Sequence, residues 1–318
     1  MILIAEDVWG PAFVELEKRH DVVRDPELWM DPEKLKAKLK EATALVVRNR
    51  TRVTAELLAA APKLKVVARA GVGLDNIDLK AADDLGIVVV AGLGANAVSV
   101  AELTVGLAIS LLRNIPSANH ETKNGSWSRT PGRELSGMTW GLLGCGATGL
   151  ATARLLSGFD IRFLGFDPFV QSHDSRLVSL PITMTSLEET LINSDIVSIH
   201  MPSTPDTNGL LNAERIEMMK FGAYLINVGR GEVVNETDLS AALKTGKVAA
   251  AGLDVRITEP PTVGEIETLP NVILTPHIAG ITKERQERIT AILTSNIDVI
   301  LCGEPATHAV ARHKVPSR

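Results

Sequence analysis

The feature that most constrains the fold is a regular alternation of short apolar runs with amphipathic stretches along nearly the whole chain. The runs are built from Val, Ile, Leu and Ala, and aromatic residues make up only 3% of the sequence. Strands of parallel sheets have this composition because helices bury both of their faces. The sequence therefore predicts two doubly wound α/β units. The predicted strands are Ile2–Ile4, Ala44–Val47, Val66–Ala68 and Ile87–Val90 in the first unit, and Gly141–Leu143, Phe163–Phe166, Ile196–Ile199, Leu225–Val228, Val248–Val255 and Val272–Leu274 in the second.

Segments outside the two strand series indicate where the units join. Ala97–Leu112 is helical by pattern, and the polar segment Asn114–Gly137 that follows has no clear period, so we interpret the two as a linking helix plus an arm. Thr282–Leu301 is again helical and is expected to return to the first unit. The first domain is then predicted to comprise residues 1–98 and 283–318, and the second residues 99–282.

Composition argues against several classes of function. A net charge of −5 with well-mixed charges is not typical of a nucleic-acid surface. The two cysteines, Cys145 and Cys302, form no CxxC pair, so we expect neither a disulfide framework nor a metal site. Met1–Ala5 lacks the basic start and long apolar middle of a signal peptide, and Val100–Leu112 is shorter than the ~20 residues of a membrane span. A soluble, cytoplasmic protein is expected.

A glycine-rich turn after the first strand of the second series indicates a dinucleotide site. Gly144–Gly149 reads GCGATG and opens an Ala- and Leu-rich helix. Gly144 permits the tight turn, Gly146 allows the backbone to approach a pyrophosphate, and Gly149 allows the helix to pack closely on the strand. The helix start, including Ala147 and Thr148, would face the phosphates. This motif alone is weak evidence because any tight strand-to-helix turn favours glycine.

The end of the next strand strengthens this interpretation. Asp167 stands eighteen residues after the last glycine, where a carboxylate can accept hydrogen bonds from the adenosine ribose. Pro168 and Phe169 follow instead of an arginine, and a carboxylate at this place would repel a 2′-phosphate, so NAD is favoured over NADP. The alternative reading of Asp167 is a turn residue before proline. Gly71–Gly73 lacks a third glycine and is not counted as a second nucleotide loop.

Three polar residues follow late strands of the second unit, at the edge where open α/β sheets bind their ligands. Arg230 lies between glycines and suits bidentate binding of a substrate carboxylate. His277 follows a strand directly, and Glu259 precedes a proline after the strand before it. A carboxylate beside the imidazole would favour its charged form and hold its tautomer. Oxidation of an alcohol by hydride transfer needs such a base and such a cation, although each residue alone is also compatible with a structural role.

Taken together, these motifs resemble the D-isomer-specific 2-hydroxyacid dehydrogenase family. The resemblance covers nearly the whole chain and is carried by Arg69–Asp78, the glycine loop with Asp167, Gly229–Gly231, Leu253–Pro260 and Pro276–Gly280. It implies a Rossmann NAD-binding domain, a flavodoxin-like substrate-binding domain and an active-site cleft between them. It also implies a hinge between the domains and a homodimer formed through the coenzyme domain and its arm.

The same resemblance assigns roles to individual residues. His277 would be the acid/base, Glu259 its partner and Arg230 the substrate clamp. Asp254 would hold the nicotinamide carboxamide, and Val72 and Gly73 would offer backbone amides to the substrate carboxylate. Further cofactor contacts are expected from Met201, Val228, Gly229, Arg230, His277 and Gly280. The chain departs from the family where Arg256 replaces the usual aromatic residue and where Met201 replaces a common threonine.

The substrate is less constrained than the chemistry. Arg48 and Arg50 follow a strand of the first domain, and two cations there suggest a second anionic group on the substrate. This region most resembles phosphoglycerate and sulfolactate dehydrogenases, whose substrates carry phosphate or sulfonate at carbon three. A solvated-surface role for both arginines remains equally open, and the sequence does not place Arg129 and Arg133 of the arm. Because the chain stops shortly after Gly303, no regulatory domain is expected.

Other functions remain as alternatives. A dehydrogenase of the glycerate/hydroxypyruvate type, or one that oxidises formate or phosphite, would use the same site. A different class is an NAD-sensing binding protein that resembles the transcriptional corepressors of this family, which retain the catalytic residues. Tight NADH binding without turnover on any acid would favour that reading.

Overall fold

The computed structural model describes residues 1–310 and divides into two compact units. The first consists of Met1–Asn96 and the chain from Ile281 onward, and the second is Ala97–Gly280. The boundaries expected from the sequence lie two residues further along the chain at both points. Residues 311–318, which the sequence analysis assigned to the first domain, lie outside the described residues.

Each unit contains one sheet, and helices connect successive strands. The strands are β1 (Ile2–Ile4), β2 (Val22–Arg24), β3 (Ala44–Val47), β4 (Val66–Arg69), β5 (Val88–Ala91), β6 (Thr139–Leu143), β7 (Arg162–Phe166), β8 (Ile182–Met184), β9 (Ile196–Ile199), β10 (Ala223–Asn227), β11 (Val248–Leu253) and β12 (Val272–Leu274). The helices are α1 (Pro11–Glu17), α2 (Pro32–Leu39), α3 (Ala55–Ala59), α4 (Leu79–Asp84), α5 (Ala97–Leu112), α6 (Ile115–Lys123), α7 (Ala147–Leu155), α8 (Leu187–Asn193), α9 (Ala213–Met218), α10 (Glu236–Thr245) and α11 (Lys283–Leu301).

The first sheet has the strand order β2-β1-β3-β4-β5, and its strands pair in parallel. This is the flavodoxin-like order, in which the chain reverses direction across the sheet between β1 and β3. Both faces are buried because alternate residues of a strand point to opposite sides. Leu45 and Val47 enter one core, while Ala44 and Val46 enter the other, where they meet Ile289 of α11. The last long helix therefore belongs to this unit, as the sequence predicts.

The second sheet has seven parallel strands in the order β12-β11-β10-β9-β6-β7-β8. Counted within this unit, the order is 7-6-5-4-1-2-3, which is the Rossmann arrangement with one added strand. The two α/β domains predicted from the sequence are confirmed. The order reverses between β6 and β9, and ligands of open α/β sheets bind beyond the carboxyl ends of the strands at such a point.

Two edge strands and one helix were not predicted. Strands β2 and β8 are three residues long and incompletely buried, so their sequences show no apolar run. The segment interpreted as an arm contains α6, a nine-residue helix without a buried residue. Within residues 1–310, no single helix is long and apolar enough to cross a membrane, and the pair α5 and α6, bent by 61°, reaches that length and apolarity only when taken together.

Candidate active site

The glycine-rich turn lies at the point where the second sheet reverses its order. Gly144 follows β6 with φ +100°, and a Cβ there would come within 3.0 Å of the backbone after β9. A Cβ on Gly149 would lie 2.1 Å from the Gly144 carbonyl oxygen, so the helix start and the turn touch. A Cβ on Gly146 would meet nothing within 4 Å, and α7 begins there without a side-chain cap. The first N–H groups of α7 and open space beside them fit a pyrophosphate group.

Asp167 lies beside this turn at the end of β7. Its carboxylate accepts hydrogen bonds from the backbone N–H groups of Cys145 and Phe169, both at 2.9 Å. The residue therefore ties the glycine turn to the next strand, a contact that sequence reasoning did not anticipate. Cys145 is buried, and burial, together with the charge of Asp167, raises the pKa of its thiol to about 12. The thiol packs against β7, where a Cβ on Gly165 would lie 2.7 Å from its Sγ.

His200 and Met201 follow β9 and form the floor of the turn. Met201 is buried, and the Gly229 backbone lies so close that a Cβ there would be 2.7 Å from the Met201 carbonyl oxygen. The indole N–H of Trp140 donates to the Ser198 hydroxyl, which in turn lies 3.0 Å from His200 Nε2. Burial lowers the pKa of His200 to about 3, so this imidazole is neutral and structural.

The turn that carries His277 is built around Asp254. His277 has φ +54°, an uncommon backbone conformation for a residue other than glycine. Its N–H donates to the Asp254 carbonyl oxygen, and the N–H groups of Ile278 and Ala279 donate to the Asp254 carboxylate at 2.8 and 2.9 Å. The Thr275 hydroxyl donates to the same carboxylate at 2.6 Å. Only 1% of Asp254 is exposed. Asp254 therefore holds this turn, and its contact with a carboxamide stays a prediction.

His277 and Glu259 form a hydrogen-bonded pair. The distance from His277 Nδ1 to Glu259 Oε2 is 2.6 Å, and both side chains are partly exposed. The other Glu259 oxygen accepts the Arg256 N–H at 3.1 Å. Because Nδ1 is engaged by the carboxylate, Nε2 is the ring nitrogen that can exchange a proton with a ligand. A cavity of about 430 Å³ is lined in part by this pair, together with Leu253, Pro260 and Leu274.

Arg230 lies in a turn after β10 that the side chain of Asn227 shapes. Asn227 accepts the Gly229 N–H at 3.1 Å and donates to the Arg230 carbonyl oxygen at 2.9 Å. The Arg230 guanidinium donates to the Gly229 carbonyl oxygen at 2.8 Å. A Cβ on Gly231 would lie 2.0 Å from the carbonyl carbon of Arg256, so the turn of Arg230 and the loop of Glu259 are packed against each other.

In the first unit, a buried glutamate organises the loop that carries Arg48 and Arg50. Glu6 follows β1 and is 3% exposed. Its carboxylate accepts four backbone N–H groups, from residues 48–51, at 2.8 to 3.2 Å. Burial raises the pKa of Glu6, but these hydrogen bonds outweigh burial and hold it below its usual value. The Asn76 side chain closes the loop by donating to the carbonyl oxygens of Arg48 and Thr51.

Arg48 and Arg50 have different surroundings in the first unit. Arg50 is exposed, and its guanidinium stacks 4.8 Å from the ring centroid of Trp29. Arg48 instead neighbours Arg69, because Val47 and Arg69 are partners in the register of β3 and β4. Arg285, in the first turn of α11, is 8% exposed, and its Nε has no hydrogen-bond partner. Burial, together with the charges of Arg48 and Arg69, lowers the pKa of Arg285 to about 10.

Comparison with known proteins identifies the family. Residues 105–279 match the NAD-binding domain of the D-isomer specific 2-hydroxyacid dehydrogenases. The chain belongs to this family. It is 37% identical to the D-3-phosphoglycerate dehydrogenase of Methanocaldococcus jannaschii over 99% of its own length and 60% of that protein. It is 40% identical to the enzyme of the same name from Mycobacterium tuberculosis over 88% of this chain and 53% of that one. The chain thus spans little more than half the length of these relatives.

Solved structures with a similar fold match nearly the whole chain. A protein from Thermus thermophilus is 33% identical, with a TM-score of 0.86 over 97% of this chain and 99% of that one. The NADPH-dependent glyoxylate/hydroxypyruvate reductase of Sinorhizobium meliloti, solved with NADP and malonate, is 28% identical, with a TM-score of 0.84 over 100% of this chain and 98% of that one. Both the fold and the family resemblance inferred from the sequence are confirmed.

The remaining predicted site residues of this chain fall into separate groups. Val228 is buried in the same apolar cluster as Cys145 of the glycine turn. Val72 and Gly73 follow β4 in the first unit, and among residues 1–310 no acceptor is found for their backbone amides. Arg129 and Arg133 lie exposed in the arm. Within residues 1–310, no group of three or more His, Cys, Asp or Glu side chains could hold a metal ion. The sequence analysis assigned no role to Glu6, Asn227 or Arg285, and Arg285 lies within the polar run 283–288, which is typical of a solvated helix face.

Proposed function

We propose that the chain is an NAD-dependent oxidoreductase that transfers a hydride between a 2-hydroxyacid and its 2-keto acid. The observation that carries this proposal is the 2.6 Å hydrogen bond between Glu259 and His277, at the carboxyl edge of a parallel sheet whose domain family binds NAD. The pair stands where open α/β sheets bind their ligands, and it supplies the proton transfer that the oxidation of an alcohol requires.

In this proposal His277 Nε2 takes the hydroxyl proton as the C2–H bond breaks and the carbonyl forms, and it returns that proton in the reverse direction. Glu259 holds the ring by Nδ1 and stabilises the imidazolium. Arg230 binds the substrate carboxylate, with the backbone amides of Val72 and Gly73 as further donors. When bound, the nicotinamide accepts or supplies the hydride. The turn built on Asp254 fixes the direction in which the imidazole points.

The cofactor would be held by the residues around the glycine turn. Gly144, Gly146 and the N-terminus of α7, with Ala147, Thr148 and Gly149, fit the pyrophosphate. Further contacts are assigned to Met201, Val228, Gly229, Arg230, Asp254, His277 and Gly280. Asp167 favours NAD, because its carboxylate would repel a 2′-phosphate. Arg176 lies nearby and could in principle bind a 2′-phosphate. Its guanidinium, however, is already paired with both oxygens of Asp174 at 2.6 and 2.8 Å.

The substrate class is proposed to be a 2-hydroxyacid with a second anionic group, such as 3-phosphoglycerate or 3-sulfolactate. Support comes from Arg48, Arg69 and Arg285, which bring three positive charges together at the carboxyl edge of the first sheet. The buried Arg285 has a donor without a partner, and an anion would satisfy it. Arg50, the second cation of the sequence-based hypothesis, is engaged by Trp29. The phosphoglycerate dehydrogenases among the relatives are consistent with this substrate class.

A reaction of the glycerate/hydroxypyruvate type is the second candidate, because the S. meliloti reductase shares the whole fold. The distinguishing experiment is NADH- and NAD-linked turnover on 3-phosphoglycerate, sulfolactate, glycerate, lactate and their keto acids, with Arg285→Met beside the wild type. We expect the wild type to prefer a doubly anionic acid. The KM for that acid should be about 10- to 100-fold higher in Arg285→Met, because the variant loses one charged hydrogen bond to the substrate.

The matched control is Arg288→Met, which changes an arginine of the same helix that donates to the Ala95 carbonyl oxygen. Its KM should stay close to that of the wild type. Preference for glycerate, with equal KM values in the Arg285 and Arg288 variants, would refute the second anion site while leaving the dehydrogenase proposal intact.

A cytoplasmic homodimer that contacts its partner through the arm is also proposed. Helix α6 buries none of its residues, and Trp127 of the arm is 81% exposed. A tryptophan at such exposure is typical of an interface. Light scattering should give a mass near twice the 34.0 kDa of one chain, and Trp127→Ser should shift it toward one chain. A monomeric wild type would rule the dimer out.

A further inference from the structure

Arg256 forms the most extensive ion-pair network of the second unit in the described chain. Its side chain is only 10% exposed and lies between two carboxylates. Nε and Nη2 donate to the two oxygens of Glu236 at 2.9 and 2.8 Å, and Nη1 pairs with Glu267. The hydrogen bond from Arg256 holds the pKa of Glu267 below its usual value. A guanidinium is the group that can bind two carboxylates in this fixed planar geometry.

The network also fixes the backbone at residue 256. The Ile257 N–H donates to the same Glu236 carboxylate at 3.0 Å, so side chain and main chain are held by one acceptor. The Gly231 backbone packs against the peptide bond between Arg256 and Ile257. The contact is so close that residue 231 has no room for a side chain. The start of the loop is therefore held from two directions, by α10 through Glu236 and by the turn that carries Arg230.

The fixed backbone in turn orients the carboxylate that contacts the imidazole. The Arg256 N–H donates to Glu259 Oε1 at 3.1 Å, and Glu259 Oε2 lies 2.6 Å from His277 Nδ1. One oxygen of Glu259 is thus used to hold the carboxylate and the other to hold the ring. A shift of the backbone at residue 256 would rotate the carboxylate and break or lengthen the second contact.

We propose that Arg256 is a positioning residue of the reaction: its guanidinium, paired with Glu236 and Glu267, fixes the backbone from which Glu259 is aimed at His277. The inference rests on the acid/base role proposed for that pair. An aromatic residue at this position, which is usual among proteins that this chain resembles, could not form these ion pairs.

The test is a set of variants assayed for kcat, KM and NADH binding. Arg256→Met should lower kcat by roughly 10- to 100-fold, the loss that a displacement of about 1 Å causes, with KM and the Kd for NADH changed less than about threefold. Arg256→Lys should recover only part of the rate, because an ammonium group cannot bind two carboxylates as a planar fork. Lys220→Met is the matched control, since it breaks an ion pair with Asp195 at the other end of the same sheet; its kcat should be unchanged.

A second readout reports on the imidazole directly. With ¹⁵N-labelled histidine, the proton on His277 Nδ1 should give a downfield resonance protected by its bond to Glu259, absent in Glu259→Ala. We expect Arg256→Met to lose this resonance and Lys220→Met to keep it. Since removal of Arg256 leaves two carboxylates facing each other, a triple variant with Glu236→Gln and Glu267→Gln removes that repulsion and should show the same loss.

A double-mutant cycle separates positioning from general destabilisation. In a Glu259→Ala background, Arg256→Met should lower kcat by less than about threefold, because the carboxylate it positions is gone. An equal loss with and without Glu259, or a wild-type kcat and resonance in the folded Arg256 variants, would overturn the proposal. Wild-type turnover in His277→Ala would instead overturn the proposed function, whatever the Arg256 variants do.

Discussion

Replacement of Glu6 by glutamine should destabilise the first unit strongly, although it exchanges only one carboxylate oxygen for an NH₂ group. The Glu6 carboxylate accepts four N–H groups: Oε1 those of Arg48 and Thr51, and Oε2 those of Asn49 and Arg50. Glutamine keeps one oxygen for two of these donors and turns an NH₂ group toward the other two. Because the residue is 3% exposed, water cannot easily replace the lost acceptor.

The magnitude follows from the number of donors left unsatisfied. Each buried donor without a partner costs about 1–3 kcal/mol. The amide oxygen should serve the better buried pair, Arg48 and Thr51, which leaves the N–H groups of Asn49 and Arg50, two exposed residues, facing the NH₂ group. Partial access of water to these two places the cost at the lower end, about 2–3 kcal/mol in total. This corresponds to a urea midpoint lower by roughly 1 M.

Urea unfolding followed by tryptophan fluorescence measures this change, since Trp9 and Trp29 lie in the first unit and Trp29 contacts Arg50 of the same loop. Glu17→Gln, which removes the same charge from a partly exposed ion pair with Arg24, should leave the midpoint nearly unchanged. If Glu6→Gln moved the midpoint no further than Glu17→Gln, the claim that Glu6 organises the loop would be refuted.

The same glutamate should produce an acid-sensitive part of the stability. The folded-state pKa of Glu6 is below its usual value of 4.5, so its contribution is fully present above that pH. It is lost as the pH falls through the folded-state pKa. The difference in unfolding free energy between wild type and Glu6→Gln should therefore be constant from about pH 7 to 5 and shrink below about pH 4.5. A difference that stays constant at acid pH would contradict the assigned direction.

Three further outcomes are expected. Gly231→Ala should lower turnover and the melting temperature, because the new Cβ would lie 2.0 Å from the carbonyl carbon of Arg256. Gly158→Ala is the control, since a Cβ there meets no atom within 4 Å, and it should change neither quantity. In the native protein a thiol reagent at pH 8 should label the exposed Cys302 and spare Cys145, whose thiol is buried and whose pKa is about 12; two labelled thiols per folded chain would contradict this. Asp167→Ala should reduce the preference for NAD over NADP, measured as the ratio of kcat/KM values, and an unchanged ratio would remove Asp167 from cofactor selection.

The fold was predictable because its strands are buried on both faces. The apolar composition of runs such as Ile196–Ile199 and Val272–Leu274 is enough to predict strands. In the structure both strands have the predicted bounds. The edge strands β2 and β8 were missed because partial exposure removes the apolar signal. Helix α6 was missed for the same reason, since none of its residues is buried.

The site was predictable where chemistry sits in a short motif, and less so where it depends on distant partners. Glu259 and His277 stand in recognisable segments after strands. Glu6 was overlooked because the N–H groups it accepts lie more than forty residues away in the chain. Arg256 was noted only as a departure, since its partners Glu236 and Glu267 lie 20 and 11 residues away. Tertiary packing decides which side chain meets a given backbone donor or charged partner. Local sequence patterns do not encode that packing.

The central claim is that His277 is the acid/base of a hydride-transfer enzyme. The measurement that tests it most directly is NADH-linked turnover of His277→Ala on the best keto acid of the panel, alongside the fluorescence-detected Kd for NADH. We expect a kcat lower by roughly 10²- to 10⁴-fold, with NADH bound nearly as in the wild type. Turnover like that of the wild type, with the same Kd, would exclude His277 as the acid/base and remove the Glu259–His277 pair from the mechanism.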